Sequence, residues 1–443
     1  MKHLRDIPKI DKFLSSHEFG GISNALLTKI AQETINRLRE NLLSGKVETF
    51  DEQELISEVK KRYEASFQSS LKPLINATGV ILHTNMGRSL ISKELLANAS
   101  KVIYNYSNLE YNLQEGCRGE RYEHVSEHLK TLLDVEDVLV VNNNASAVFL
   151  ILNTFAKNKE AIVSRGELVE IGGSFRIPEV MSQSGALLHE VGATNKTKLS
   201  DYENAINENT AMLMKVHQSN FSIEGFSEDV NFQAIKSLAQ KNDLIDYYDL
   251  GSGYIPTLPY NLGNKEPSLP EILKDKPSLI SFSGDKLFGS VQAGIIAGRK
   301  EFIDKLKKNQ LLRMLRVDKI TLSILEETIK AYLQEKYEQI PTLWMLLQSV
   351  ESLHVRVSKI QEMFNDRCDI IHSTTVMGGG TLPNREFPTV ALHVKGKAVE
   401  LERKFRAKHL IGRIENDKFL IDFRSILPEF EPQIITIIKE TLQ

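Results

Sequence analysis

The sequence predicts an α/β protein built on a mainly parallel central sheet, with a helical N-terminal region and a small C-terminal α/β domain. Between residues 71 and 318, short β-branched runs alternate with helical segments, the pattern of βαβ units. Residues 1–70 carry helical periodicity and no strand signal. Residues 319–443 open with a long amphipathic stretch and continue with strand-like runs before a closing helix.

In the first region, ISNALLTKIAQETINRLRENLLSG spaces Leu26, Leu27, Ile30, Ile35, Leu38 and Leu42 near the helical period and stops at Gly45. DEQELISEVKKRYEASF predicts a second helix. Pro73 and the following INATGVILHTN change the texture to strands and turns, which places a boundary near residue 70. The runs that predict the sheet are VEDVLVVNN (135–143), EAIVSR (160–165), ALLHEV (186–191), TAMLMKVH (210–217), DLIDYYDLG (243–251) and PSLISFSG (277–284). ITLSILEETIKAYLQEKYEQI then bridges to CDIIHSTTV, FPTVALHVKG, HLIGRIE and KFLIDFRSI, which read as strands. Asn416-Asp417 is the expected turn of the last hairpin, and PEFEPQIITIIKETLQ the closing helix.

Composition narrows the function classes. Across 443 residues, 55 Lys+Arg against 58 Asp+Glu leave a formal net charge of −3, which argues against a basic tail that wraps nucleic acid by bulk charge. Cys117 and Cys368 cannot build a disulfide framework or a four-thiolate zinc site, so a reducing cytosol is expected. MKHLRDIPKIDKF has no apolar run to serve as a signal peptide, and no stretch approaches the roughly 20 apolar residues of a membrane span. A cytoplasmic enzyme that engages no membrane is the expectation.

Three elements could carry chemistry. Lys286, in ISFSGDKLFGS, follows a buried strand and a small-residue turn containing Ser283, as a lysine that forms a Schiff base requires; a surface loop would carry such a lysine equally well. Asp249, in YYDLGSG, ends an apolar strand one strand earlier, where a carboxylate could meet a cofactor ring nitrogen; Asp246 is a competitor inside the same run. Asn144, Ala145 and Ser146 lie between the strand VLVV and a helix, where backbone N–H groups at a positive helix end suit a phosphate, or where an Asn or Ser simply caps the helix. Phosphate turn, ring aspartate and lysine occur in the order used by fold-type-I pyridoxal phosphate enzymes.

INATGVILHTNMGRSLIS, SNLEYNLQEGCRGERY, VVNNNASAV, SRGELVEIGGSFRIPEVM, DLGSG, SFSGDKLFGSVQAGIIAG and RMLRVDK resemble the bacterial selenocysteine synthases, the L-seryl-tRNA(Sec) selenium transferases. The resemblance runs from about residue 72 to the C-terminus and includes TLPNREFPTVAL and IGRIENDKFLIDFRSILP. It implies an aspartate aminotransferase-like fold with three parts: a helical, tRNA-recognising domain (1–70), a large cofactor domain (71–318), and a linking helix with a small domain (319–443). It also implies pyridoxal 5'-phosphate on Lys286, with Asp249 at the ring nitrogen and the phosphate on the 144–146 turn. The reaction implied is conversion of seryl-tRNA(Sec) to selenocysteinyl-tRNA(Sec) with selenophosphate, by loss of the seryl hydroxyl to an aminoacrylyl-tRNA and addition of selenium.

By the same resemblance, Arg88, Arg121, Arg313 and Arg316 bind the selenium donor, with Arg118 an alternative to Arg121, and the subunits form a ring of dimers (a decamer). Converging guanidinium groups are what such an anion needs. His217, in KVHQSN, is expected to stack on the ring, to act as an acid, or to be structural. Arg424, in DFRSI, occupies the place of a carboxylate clamp in related folds; an ester substrate has no free carboxylate, so a structural role is expected. HVSEH matches an inverted zinc-protease pattern through His124 and His128, but it lies inside the family motif, and no metal is expected. The competing readings are a related pyridoxal phosphate lyase acting on a small metabolite and a catalytically silent tRNA-binding scaffold.

Overall fold

The computed structural model describes residues 1–443 except 1–3, 5, 23, 169, 172–174, 220, 224 and 265, so parts of the N-terminal segment and of the SRGELVEIGGSFRIPEVM motif lie outside the described residues. The chain divides into two compact units, Met1–Pro73 and Leu74–Gln443.

The first unit is helical. Asn24 caps the helix Ala25–Leu43 by accepting from the Leu27 N–H, and Asp51 caps Glu52–Ala65 through the Gln53 N–H. Leu27, Ile30, Ala31 and Ile35 meet Leu55, Ile56 and Val59 in a core closed by Phe13 and Phe19. Of the residues that set the helical period in the sequence, Leu27, Ile30, Ile35 and Leu38 serve this core, while Leu26 is exposed and Leu42 lies outside it.

The second unit is centred on a seven-stranded sheet made of β1 (Asp137–Val141), β2 (Glu160–Ser164), β3 (Leu187–Val191), β4 (Thr210–Val216), β5 (Ile245–Ser252), β6 (Leu279–Ser283) and β7 (Gly294–Gly298). Their order is β1-β7-β6-β5-β4-β2-β3, and every pairing is parallel except the two made by β7. Val138, Val140, Tyr248, Leu250, Ile280 and Phe282 face one buried cluster, while Leu139, Val141, Met212, Met214, Tyr247 and Leu279 face another. Neighbouring residues therefore enter opposite cores. That is why the central strands read as unbroken apolar runs rather than alternating ones.

All six runs read as strands lie in this sheet, and β7 is an addition. It lies in SVQAGIIAG, where flanking glycines mask strand character. The glycine at 294 is sterically required, because a Cβ there would stand 2.2 Å from the Asn143 carbonyl oxygen.

A second, antiparallel sheet holds β8 (Cys368–Gly378), β9 (Thr381–Val394), β10 (Arg413–Glu415) and β11 (Lys418–Asp422), in the order β8-β9-β11-β10. Helices Val350–Phe364, Ala398–Ala407 and Glu431–Leu442 supply Leu353, Leu401, Phe405 and Ile438 to its core. Asn416 and Asp417, with φ of 49° and 59°, form the expected turn between β10 and β11. HLIGRIE is split: Leu410–Ile411 pairs in parallel with Ile75–Asn76, and only Arg413–Glu415 joins the hairpin. The bridging helix is also shorter than its amphipathic pattern, ending at Leu333 where Glu335 turns left-handed.

Candidate active site

Parallel strands end on the same side of a sheet, so the turns after β1, β4, β5 and β6 share one rim, the usual ligand position in open α/β folds. There a cavity of about 440 Å³ is lined by Arg88, Asn144, Ala145, His217, Asp249, Ser283, Asp285 and Lys286 among others. That volume suits a small organic cofactor.

Asp249 is buried on β5. Its Oδ1 accepts from Asn144 Nδ2 at 2.8 Å and from Ser281 Oγ at 3.4 Å. Burial pushes its pKa up, opposed by the Asn144 bond, the Lys286 charge and further hydrogen bonds. Asp246, the competitor, points elsewhere and accepts from the Ser278 N–H at 2.8 Å and the Ser278 hydroxyl at 2.6 Å.

Lys286 is also buried, and burial, then the Arg88 charge, lowers its pKa against the pull of Asp249, Asp285 and Glu266. A buried amine that gives up its proton readily is what carbonyl chemistry needs. Arg88 is itself held by Asp285, with Nη1 2.8 Å from Oδ2.

At the helix Asn144–Phe155, Asn143 is the cap and its Oδ1 accepts from the Ser146 N–H at 2.8 Å. Among the described residues, that cap leaves the N–H groups of Asn144 and Ala145 without an acceptor at the positive helix end, a place for a phosphate. Ser146 does not line the cavity. Asn144, expected only in the phosphate turn, also reaches Asp249 through its side chain, and its buried Oδ1 has no partner among the described residues.

These residues fit pyridoxal phosphate: a carboxylate for the ring nitrogen, an amine for the carbonyl carbon, and free N–H groups for the phosphate. His217 lines the same cavity, and its Nε2 lies 2.7 Å from Glu266 Oε2.

The remaining arginines gather elsewhere within one chain. Arg121 places Nε 3.1 Å and Nη2 2.8 Å from Glu110 Oε1, Arg316 Nη1 stands 3.5 Å from the same oxygen, and Arg118 Nη2 is 3.3 Å from Oε2. The Asn142 N–H donates to the Leu315 carbonyl at 2.9 Å, so RMLR lies beside the end of β1, next to the phosphate turn. Arg313 is exposed and its guanidinium has no partner among the described residues.

Arg424 is fully buried, and its two terminal nitrogens donate to the carbonyls of Met345 (3.2 Å), Gln348 (2.5 Å) and Pro388 (2.7 Å), which ties them to the small domain. His124 Nε2 meets the carbonyl oxygens of Asn108 and Leu109 at 3.1 and 3.2 Å, so this histidine of HVSEH is engaged by backbone.

Sequence reasoning did not single out Glu110, Glu266 or Asp285. Asp285 adjoins Lys286 and was within reach of a motif reading; the other two carry no local signal. A larger cavity of about 1100 Å³ shares Val216 and His217 with the first and is lined by Glu167, Lys215 and Asp229. Lys215 Nζ lies 2.7 Å from Glu167 and 2.8 Å from Asp229.

Strand order, lysine, aspartate and phosphate turn together define a fold-type-I pyridoxal phosphate enzyme. A solved structure of D-glucosaminate-6-phosphate ammonia-lyase shares the fold, with a TM-score of 0.61 at 17% identity over 86% of this chain and 97% of that one. The family model for L-seryl-tRNA selenium transferase matches residues 74–427, and the chain belongs to that family. The L-seryl-tRNA(Sec) selenium transferase of Aliarcobacter butzleri is 57% identical over 100% of this chain and 99% of its own length. Its counterpart from Sulfurimonas denitrificans is 54% identical over 99% and 98%. Among the described residues, no helix is long and apolar enough to cross a membrane.

Proposed function

We propose that this chain converts seryl-tRNA(Sec) to selenocysteinyl-tRNA(Sec) in the cytoplasm, replacing the seryl hydroxyl with selenium from selenophosphate. The observation that carries the reading is the convergence of buried Lys286, buried Asp249 and the free helix N-terminus on one cavity, in a chain of this family. Pyridoxal phosphate, when bound, supplies an electron-withdrawing ring that makes the seryl Cα–H removable.

Asp249 would hold the proton of the ring nitrogen, with Asn144 fixing the orientation of the carboxylate. The N–H groups of Asn144 and Ala145 would take the phosphate, and Ser283 lines the same pocket. Lys286 Nζ would hold the cofactor's carbonyl carbon and is the base placed to take the seryl α-proton. Burial, then the Arg88 charge, lowers the pKa of that amine, which favours its acting as a base.

Arg88, Arg121, Arg313 and Arg316 bind the donor anion, with Arg88 at the cavity and the others supplied where subunits meet in a ring of dimers. Residues 1–70 recognise the tRNA, 71–318 carry the cofactor, and 319–443 close the site.

Lys286→Ala tests the reading. The purified variant should lack the bound-cofactor absorbance and leave seryl-tRNA(Sec) unconverted. Retained conversion would remove the mechanism, and wild-type protein that holds the cofactor yet ignores charged tRNA would point to a small-molecule substrate.

A further inference from the structure

His217 follows β4, and its backbone is held on both sides: its N–H donates to the Asp249 carbonyl at 2.9 Å, and its own carbonyl accepts from the Ser219 N–H at 2.8 Å. The imidazole is therefore registered to the strand that carries the ring aspartate. Among the described residues its one side-chain partner is Glu266, at 2.7 Å through Nε2; Nδ1 has none.

Glu266 is 4% exposed and comes from a loop outside the sheet. The loop is pinned there, since the Glu266 carbonyl accepts from Tyr254 Oη at 2.6 Å and its N–H donates to the Gly263 carbonyl at 3.2 Å. Among the described residues its second oxygen, Oε1, is buried without a partner, so His217 is the group that answers this carboxylate. A carboxylate only accepts, so the proton between them belongs to Nε2, and the free ring nitrogen is Nδ1. Glu266 lines the larger cavity alone, whereas His217 lines both. The ring is thus anchored from the larger cavity's side by a residue that does not line the smaller one, while His217 itself lines both.

We propose that Glu266 is a positioning residue for the reaction, locking His217 in the Nε2–H form so that Nδ1 faces the cofactor and the seryl group. This inference rests on the function proposed above. Glu266 never meets the reacting atoms; it fixes which histidine nitrogen does, as a partner carboxylate does for other functional histidines.

The test is a double-mutant cycle on the holoenzyme with Glu266→Gln, His217→Asn and the double variant, alongside Glu266→Asp. The readouts are the bound-cofactor absorbance maximum, kcat and KM for seryl-tRNA(Sec), and the thermal midpoint. Glu266→Gln should lower kcat about tenfold or more, the scale at which removing an orienting partner acts, with KM nearly unchanged. It should shift the absorbance maximum as His217→Asn does, and the double variant should be no worse than His217→Asn. Glu266→Asp should recover part of the loss.

Additive losses in the double variant, or a spectrum and kcat like wild type in Glu266→Gln, would overturn the assignment. If Glu266→Gln proves too unstable, Glu266→Asp against His217→Asn gives the same comparison. Should the wild type bind cofactor but not convert seryl-tRNA(Sec), the proposed substrate fails while the spectral cycle still reads the positioning role.

Discussion

Asn144 and Asp249, 105 residues apart in sequence, meet at 2.8 Å across the carboxyl rim of the sheet. Ser281 approaches the same aspartate oxygen at 3.4 Å, so both side-chain donors converge on Oδ1 and neither takes Oδ2. The residue that opens the helix Asn144–Phe155 thus also orients the Asp249 carboxylate, and under the proposed function one side chain would couple the phosphate end of the cofactor to its ring end.

Asn144→Leu should therefore weaken cofactor binding beyond any effect on the phosphate. A hydrogen bond to a charged group contributes roughly 1.5–3 kcal/mol, which converts to about a tenfold to hundredfold rise in the apparent Kd. Absorbance titration of the apoprotein with pyridoxal phosphate measures it. A Kd within twofold of wild type would mean that Asn144 does not set Asp249.

A second expectation concerns pH. Burial and then the Arg88 charge lower the Lys286 pKa. A base depressed in the fold contributes stability above its unfolded value of about 10.4 and loses it as pH falls through the folded value. Arg88→Met removes a cation and frees the Asp285 carboxylate, and both changes favour the ammonium. The pKa should then rise, and the midpoint for cofactor uptake by the apoprotein should move to higher pH. Stopped-flow uptake rates across pH 6 to about 10 follow the neutral amine; an unmoved or lowered midpoint would contradict this coupling.

Much of this was legible along the chain, and the rest was not, for a physical reason. β1, β5 and β6 are buried on both faces, so their apolar runs announce them, and Lys286 and Asp249 are marked by the small-residue turns in which those strands end. β7 was hidden because close backbone approach demands glycine where strand propensity would favour larger residues. Glu266 and Glu110 sit in connecting segments and acquire their partners through tertiary folding alone. The side-chain role of Asn144 was hidden differently, since a capping-type residue at a helix start reads the same whether it serves the helix or a carboxylate across the rim.

Arg313 offers a clean separation of donor binding from stability. Its guanidinium is exposed and holds no partner among the described residues, so Arg313→Ala should leave the thermal midpoint within a degree or so. If it belongs to the anion site, the KM for selenophosphate should rise about tenfold or more, the scale of a lost charge-assisted contact, while cofactor absorbance stays intact. An unchanged donor dependence would take Arg313 out of the set.

The tightest constraint in the INATGV motif is Gly79, and it predicts a stability defect. Its φ of +88° already penalises a side chain, and a Cβ there would stand 2.5 Å from Asp422 Oδ2 and 2.7 Å from Arg413 Nη1. Those atoms form an ion pair at 2.6 Å in which Asp422 is fully buried and Arg413 half-buried, and Asp422 also accepts from Thr389 Oγ1 at 2.5 Å and the Arg424 N–H at 2.9 Å. Gly79→Ala must therefore displace a fully buried carboxylate from its partners. Breaking a buried pair costs about 3–5 kcal/mol, against about 1–2 kcal/mol for left-handed strain alone. Gly116→Ala is the control, because its φ of +65° carries similar strain while the nearest atom to a Cβ, Tyr111 Oη, is 3.8 Å away. Thermal unfolding should place Gly79→Ala well below Gly116→Ala, and equal midpoints would show that the Asp422–Arg413 pair yields at little cost.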